Sequence, residues 1–299
     1  MPIVIPKDIP AYEILKSENI FAMDSARANE QDIRPLEIAI VNLMPTKIET
    51  ETQLMRLLSN TPIQVNITLI RMGTHNARNT SEAHLGKFYK VFEQVKNQHF
   101  DGMIVTGAPV EKLDFESVNY WEELCNIFDF ARDNVTSTVF ICWGAQAALR
   151  YYYGIPKYEL SEKLFGVFPC RANNRFDPLL KGLDDKFYIP HSRHTAVDRA
   201  SVAKEPSLEI LAEGEECGLS IVKDKDGSKV FFFGHAEYDR ETLGNEYRRD
   251  LDKGLPINPP ANYFAPDGQV DAKWISTANI LFSNWLNHYV YQVTPYSFD

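Results

Sequence analysis

The run Val139-Phe140-Ile141-Cys142-Trp143-Gly144-Ala145-Gln146-Ala147-Ala148 takes an apolar strand into a cysteine and then into a small-residue helix start. Such a junction suits a nucleophile. The sharp turn projects its side chain from the carboxyl end of a sheet, and the following backbone N–H groups, with the helix dipole, favour a thiolate and a developing oxyanion. Cys142 is therefore a candidate nucleophile, weighed against the plainer reading of a small buried residue ending a strand. Cys125, Cys170 and Cys217 lack this strand–turn–helix setting and read as inert. The four cysteines contain no CxxC pair and the histidines no HExxH-like spacing, so neither a disulfide framework nor a metal is expected.

A thiol nucleophile needs a base, and Val230-Phe231-Phe232-Phe233-Gly234-His235-Ala236-Glu237-Tyr238-Asp239 offers one. His235 leaves the end of an apolar strand. Residues two apart in extended chain point to the same side, so Glu237 can reach the imidazole and set its tautomer while His235 faces Cys142. Taken alone, this segment is equally a strand-end histidine with a solvated glutamate; set beside Cys142 it has the logic of a triad. His75, His84, His99 and His288 sit in polar or helical surroundings without that context.

These residues need a scaffold. Leu36 to Leu43 reads as a strand, and Thr46 and Glu49 have capping-box spacing, opening a helix through about Ser59. Gln64 to Arg71, Gly102 to Val105 and Thr138 to Ile141 read as further strands, with Lys87 to Val95 and Tyr120 to Ala131 as helices between them. The alternation predicts an α/β fold, a mostly parallel sheet with helices on both faces. Past Cys142, Gly218 to Lys223 and Lys229 to Phe233 flank Asp226-Gly227, the signal for an antiparallel hairpin that extends or edges the sheet. Asp271 to His288 reads as a closing helix with Trp274 and Trp285 as packing anchors. Residues 1–34 read as an irregular arm and 35–299 as a single catalytic domain.

Composition sets the outer limits. A chain of 299 residues, 44% hydrophobic, can bury one large core or two modest ones. A formal charge of -10 argues against nucleic acid as a partner but leaves room for a local basic pocket. Met1 to Pro10 lacks a basic region followed by an apolar core, and no stretch approaches the ~20 apolar residues that cross a bilayer, so a cytoplasmic protein off the membrane is expected.

The F-I-C-W-G-A-Q and G-H-A-E segments, about 90 residues apart, resemble the nucleophile and His-x-Glu segments of class I glutamine amidotransferase-like proteins, whose fold is flavodoxin-like. Within that superfamily the chain resembles the MetA-type homoserine O-acyltransferases over nearly its whole length. The stretches that carry this are Asn42 to Gln53, Thr106 to Glu111, Val118 to Leu124, Cys142 to Leu149, Ile189 to His194 (I-P-H-S-R-H) and Tyr247 to Asp250 (Y-R-R-D). Phe140 stands where amidotransferases commonly have glycine, and Thr106-Gly107-Ala108-Pro109 replaces their more glycine-rich oxyanion loop. A glutaminase or cysteine hydrolase of the same fold is therefore the remoter alternative.

The resemblance implies that an acyl group moves from coenzyme A to Cys142 and then to the hydroxyl of L-homoserine, with His235 as base, Glu237 as its orienting partner and no tightly bound cofactor. Backbone N–H groups of Trp143 and of the Gly107-Ala108 turn would hold the oxyanion; Pro109 has none to offer, which favours Ala108. Lys163, Ser192 and Arg249 match the family's substrate-binding positions, and a guanidinium suits a carboxylate. The family divides between acetyl and succinyl transfer at the position occupied here by Glu111, which points to acetyl-CoA, with O-succinyl transfer the nearer alternative. The resemblance also allows a homodimer.

Overall fold

The computed structural model describes residues 3–18, 20–28, 34–75 and 79–294. In chain order the strands are β1 (Ile3–Val4), β2 (Ala22–Met23), β3 (Leu36–Val41), β4 (Val65–Arg71), β5 (Tyr89–Val91) and β6 (Phe100–Val105), followed by β7 (Val135–Ile141), β8 (Lys157–Ala172), β9 (Phe187–Val197), β10 (Leu208–Gly214), β11 (Gly218–Asp224) and β12 (Lys229–Phe232). They form one sheet in the order β2-β1-β4-β3-β6-β7-β12-β11-β10-β8-β9, with β5 added beside β4. From β2 through β12 all pairings are parallel; from β12 to β9 they are antiparallel.

The parallel half needs cover on both faces, and its side chains show it. Ile38, Ile40, Ile104, Val139 and Ile141 pack into one apolar core, while the alternating residues Ala39, Val41, Met103, Val105 and Phe140 pack into another on the opposite face. Trp285 and Trp274 are both fully buried anchors, as their setting in the sequence predicts. Trp285 donates from Nε1 to Ser137 Oγ (3.0 Å), and Trp274 donates to the Tyr238 carbonyl (2.8 Å), pinning the chain one residue past Glu237.

Several elements differ from the sequence reading. The described residues within 1–34 do not form an irregular arm: β1 and β2 add to the sheet edge, and the helix Pro10–Ser17 lies between them in sequence with Ala11 and Leu15 in the core. Two-residue strands are too short to show periodicity. The helix at 47–58 starts after Thr46 as expected, but the Thr46 side chain makes no capping bond. Lys87–Val95 is the tail of a helix, Glu82–Phe88, then β5, then a 3-10 turn. The closing helix is Ile275–Asn284 continued by a π-helix through Tyr291. The expected hairpin is present and extends the sheet without edging it: β12 joins β7 in parallel, and β11 carries the sheet on through β10, β8 and β9.

Candidate active site

Cys142 ends β7 with φ 51° and ψ −113°, a conformation that costs a non-glycine residue about 1–3 kcal/mol. The surroundings impose it. Its N–H donates to the Phe232 carbonyl (2.7 Å), and its carbonyl accepts from Gln146 N (3.2 Å) as the helix Trp143–Tyr153 begins. That helix starts hard against the end of β6: a Cβ on Gly144 would lie 2.6 Å from the Thr106 carbonyl oxygen and 3.0 Å from that of Val105. Only glycine lets the helix approach so closely, and the approach fixes the turn that presents the thiol.

The register of β7 with β12 pairs Ile141 with Phe232, so the chain leaving β12 reaches His235 beside Cys142. The His235 N–H donates to the Pro190 carbonyl (2.7 Å), and its ring stacks on Tyr238 with centroids 4.2 Å apart and planes within 12°. Nδ1 lies 2.7 Å from Glu237 Oε1, which fixes the tautomer and leaves Nε2 for Cys142. Burial alone would push the imidazole pKa down, but the charges of Cys142 and Glu237 and their hydrogen bonds outweigh it and hold His235 well above its ordinary 6.5. Gly107 lies over the pair: a Cβ there would stand 3.3 Å from both Cys142 Cβ and His235 Cε1. Trp143 opens the helix, where backbone N–H groups have no intrahelical acceptor, and Ala108 is buried in the turn after β6. By contrast, burial raises the Cys125 thiol to about 11 and keeps it protonated.

The residues singled out by resemblance converge on a carboxylate that sequence reasoning missed. Glu246 Oε1 receives Lys163 Nζ at 2.7 Å, and Ser192 Oγ donates to it at 3.0 Å. Arg249 Nη2 reaches it at 3.5 Å, and a shorter bond of 2.7 Å ties Arg249 Nε to Asp250 Oδ1. Glu246 and Arg249 lie one helical turn apart on Thr242–Asp252, a spacing that could have flagged Glu246 once Arg249 was suspected. Glu111 connects this cluster to the triad. Burial raises its pKa, helped by the Glu246 charge, and outweighs the lowering by the nearby His194 backbone N–H and by the charges of His235 and Lys163. A residue that opens a polar loop in sequence thus faces inward.

Among the described residues no helix is long and apolar enough to cross a membrane. Solved structures of like architecture include a glutamine amidotransferase from Thermotoga maritima (TM-score 0.55, 10% identity, covering 85% of this chain and 97% of that one) and another from Methylobacillus flagellatus (TM-score 0.54, 14% identity, 85% and 95%). At such identities they speak to the fold alone. Curated relatives are far nearer in sequence: the homoserine O-acetyltransferase of Clostridium acetobutylicum is 59% identical, covering 99% of each chain, and that of Acetivibrio thermocellus 57% identical, covering 100% of this chain and 99% of that one. The family model described as homoserine O-succinyltransferase matches residues 2–296, and the chain belongs to that family.

Proposed function

We propose that the protein is a homoserine O-acetyltransferase working through a Cys142 acyl-enzyme. The Cys142 sulfur attacks the thioester carbonyl carbon of acetyl-CoA, and the oxyanion is held by the N–H groups of Trp143 and Ala108. Collapse expels the coenzyme A thiolate, which takes the proton from His235. His235 Nε2 then removes the proton from the homoserine hydroxyl as its oxygen attacks the acyl carbon, and the Cys142 sulfur leaves. No tightly bound cofactor enters either step. Arg249 and Lys163 offer cations to the homoserine carboxylate, and Glu246 an anion to its ammonium. We assign the reaction to the cytoplasm, with a homodimer the assembly suggested by family resemblance.

The observation that carries the choice of donor is Glu111, whose half-buried carboxyl group feels the charges of His235 and Lys163. A succinyl group ends in a carboxylate, an acetyl group in a methyl. Two like charges ~4 Å apart at an effective dielectric near 20 cost about 4 kcal/mol, up to about a thousandfold in rate. The relatives named as acetyltransferases favour the same donor.

Mass spectrometry of the protein after exposure to acetyl-CoA or succinyl-CoA, without homoserine, tests donor and nucleophile together. The expected product is an acetylated Cys142 peptide from acetyl-CoA alone, with Cys142→Ala unmodified and inactive. Glu111→Gly should admit succinyl-CoA. A wild-type preference for succinyl-CoA would move the assignment to O-succinyl transfer, and glutamine hydrolysis without acyl transfer would point to the amidotransferase-like reading.

A further inference from the structure

Cys170 in β8 and Cys217 in the turn between β10 and β11, both inert as read from sequence, meet in the interior with their sulfurs 3.7 Å apart. His191 of β9 completes the group: one ligand atom from each residue lies within 4.8 Å of the others, and all three side chains are buried. A tetrahedral ion with metal–sulfur bonds of ~2.3 Å would hold two sulfurs about 3.8 Å apart. Two thiols in simple contact would be similarly spaced, so the spacing alone does not decide. The imidazole does: neither His191 Nδ1 nor Nε2 has a hydrogen-bond partner of normal geometry, although the Cys217 sulfur lies beside the ring. A buried histidine whose ring meets a cysteine sulfur lacks the oxygen or nitrogen partner that the interior normally supplies.

Charge and placement fit the same ligand. Arg193, itself buried, fixes its guanidinium on the carbonyls of Thr195 and Cys217, each at 2.7 Å, and so sits next to the pair of sulfurs. Two thiolates would neutralise a divalent cation exactly where an unbalanced one would meet Arg193. Ser220 Oγ, buried beside Cys170 with no oxygen or nitrogen partner, is the candidate for a fourth position. We propose that Cys170, His191 and Cys217 bind a zinc ion that ties β8, β9 and the β10–β11 turn together behind the active site. Imidazole with two thiolates is a zinc donor set, and softness and charge disfavour magnesium or calcium. The ion would brace His235 from the rear. A Cβ on Gly234 would stand 2.9 Å from His191 Nε2, and Pro190, next to His191, accepts the His235 backbone N–H. It takes no part in acyl transfer, so this site stands or falls apart from the proposed reaction.

The test is the metal content of full-length protein produced with zinc and stripped of loosely held ions. Roughly one zinc per chain is expected, retained in Cys142→Ala and lost in the Cys170→Ser/Cys217→Ser double variant. Chelation should lower the melting temperature of wild-type protein. Should the double variant fail to fold, cobalt(II) exchanged into Cys142→Ala protein decides: thiolate-to-metal charge transfer with tetrahedral visible bands supports the site, and their absence overturns it. Metal-free wild-type protein, zinc that disappears with Cys142 instead, or a native Cys170–Cys217 disulfide seen as a loss of two hydrogens would each overturn it as well.

Discussion

Replacing Glu237 by glutamine keeps a hydrogen-bond acceptor for His235 Nδ1 and removes the charge. In the wild type the two atoms are 2.7 Å apart and the side chains are only 4% and 7% exposed. With charge centres ~4 Å apart and an effective dielectric near 20, the attraction between imidazolium and carboxylate is about 4 kcal/mol. Since 1.36 kcal/mol is one pKa unit, its removal should lower the His235 pKa by up to about three units. The sign follows from the fold: His235 is held above 6.5 partly by Glu237, so wild-type protein keeps the imidazolium to higher pH than a free histidine would and the variant loses it earlier. Departure of the coenzyme A thiolate needs that proton. The basic limb of kcat/KM for acetyl-CoA should therefore move to lower pH in Glu237→Gln, by about one to three units, with the melting temperature little changed. A basic limb that stays in place in folded variant would refute the coupling between Glu237 and His235.

Burial raises the Glu111 pKa, so acidification neutralises it sooner than an exposed glutamate. The ratio of succinyl-CoA to acetyl-CoA turnover should climb as pH falls through that raised value and stay flat in Glu111→Gln; a flat wild-type ratio would remove charge from the specificity argument. Arg249→Lys loses the planar fork that a carboxylate uses and should raise the Michaelis constant for homoserine far more than that for acetyl-CoA, with equal effects counting against a homoserine contact. Gly144→Ala drives a methyl into the Thr106 carbonyl and should cost about 1–3 kcal/mol, roughly 2–4 °C of melting temperature per kcal/mol, together with most of the activity. Full activity at an unchanged melting temperature would mean that the close approach is not needed.

The triad was readable because its segments carry local signals: an apolar strand broken by a reactive residue, and a histidine and glutamate two apart. Glu246 was readable only through its spacing from Arg249, since its other partners, Lys163 and Ser192, lie 83 and 54 residues away in sequence. The cluster of Cys170 and Cys217 was hidden for the same reason, as 47 residues separate them and no spacing rule links them. Strands β8 to β10 were missed because the outer half of β8, from Lys157 to Leu164, is polar and exposed or half-buried and shows no clean alternation. The parallel strands β3, β6 and β7, covered on both faces, announced themselves as apolar runs.

The position of β12 between β7 and β11 has a consequence for how the chain comes alive. Cys142 lies in the amino-terminal half of the chain and His235 follows about 90 residues later, yet the two meet only when β12 slots in beside β7. A chain that ends at β7 carries its thiol on a strand end without an acid or base to act with it, and the sheet face that Trp285 covers is still open. Pairings of such long sequence separation close late, because the intervening loop must be ordered before the contact repays it. On the proposed mechanism, acyl transfer therefore reports completion of the sheet and not its beginning, and Cys142 passes the interval before that closure without His235 beside it.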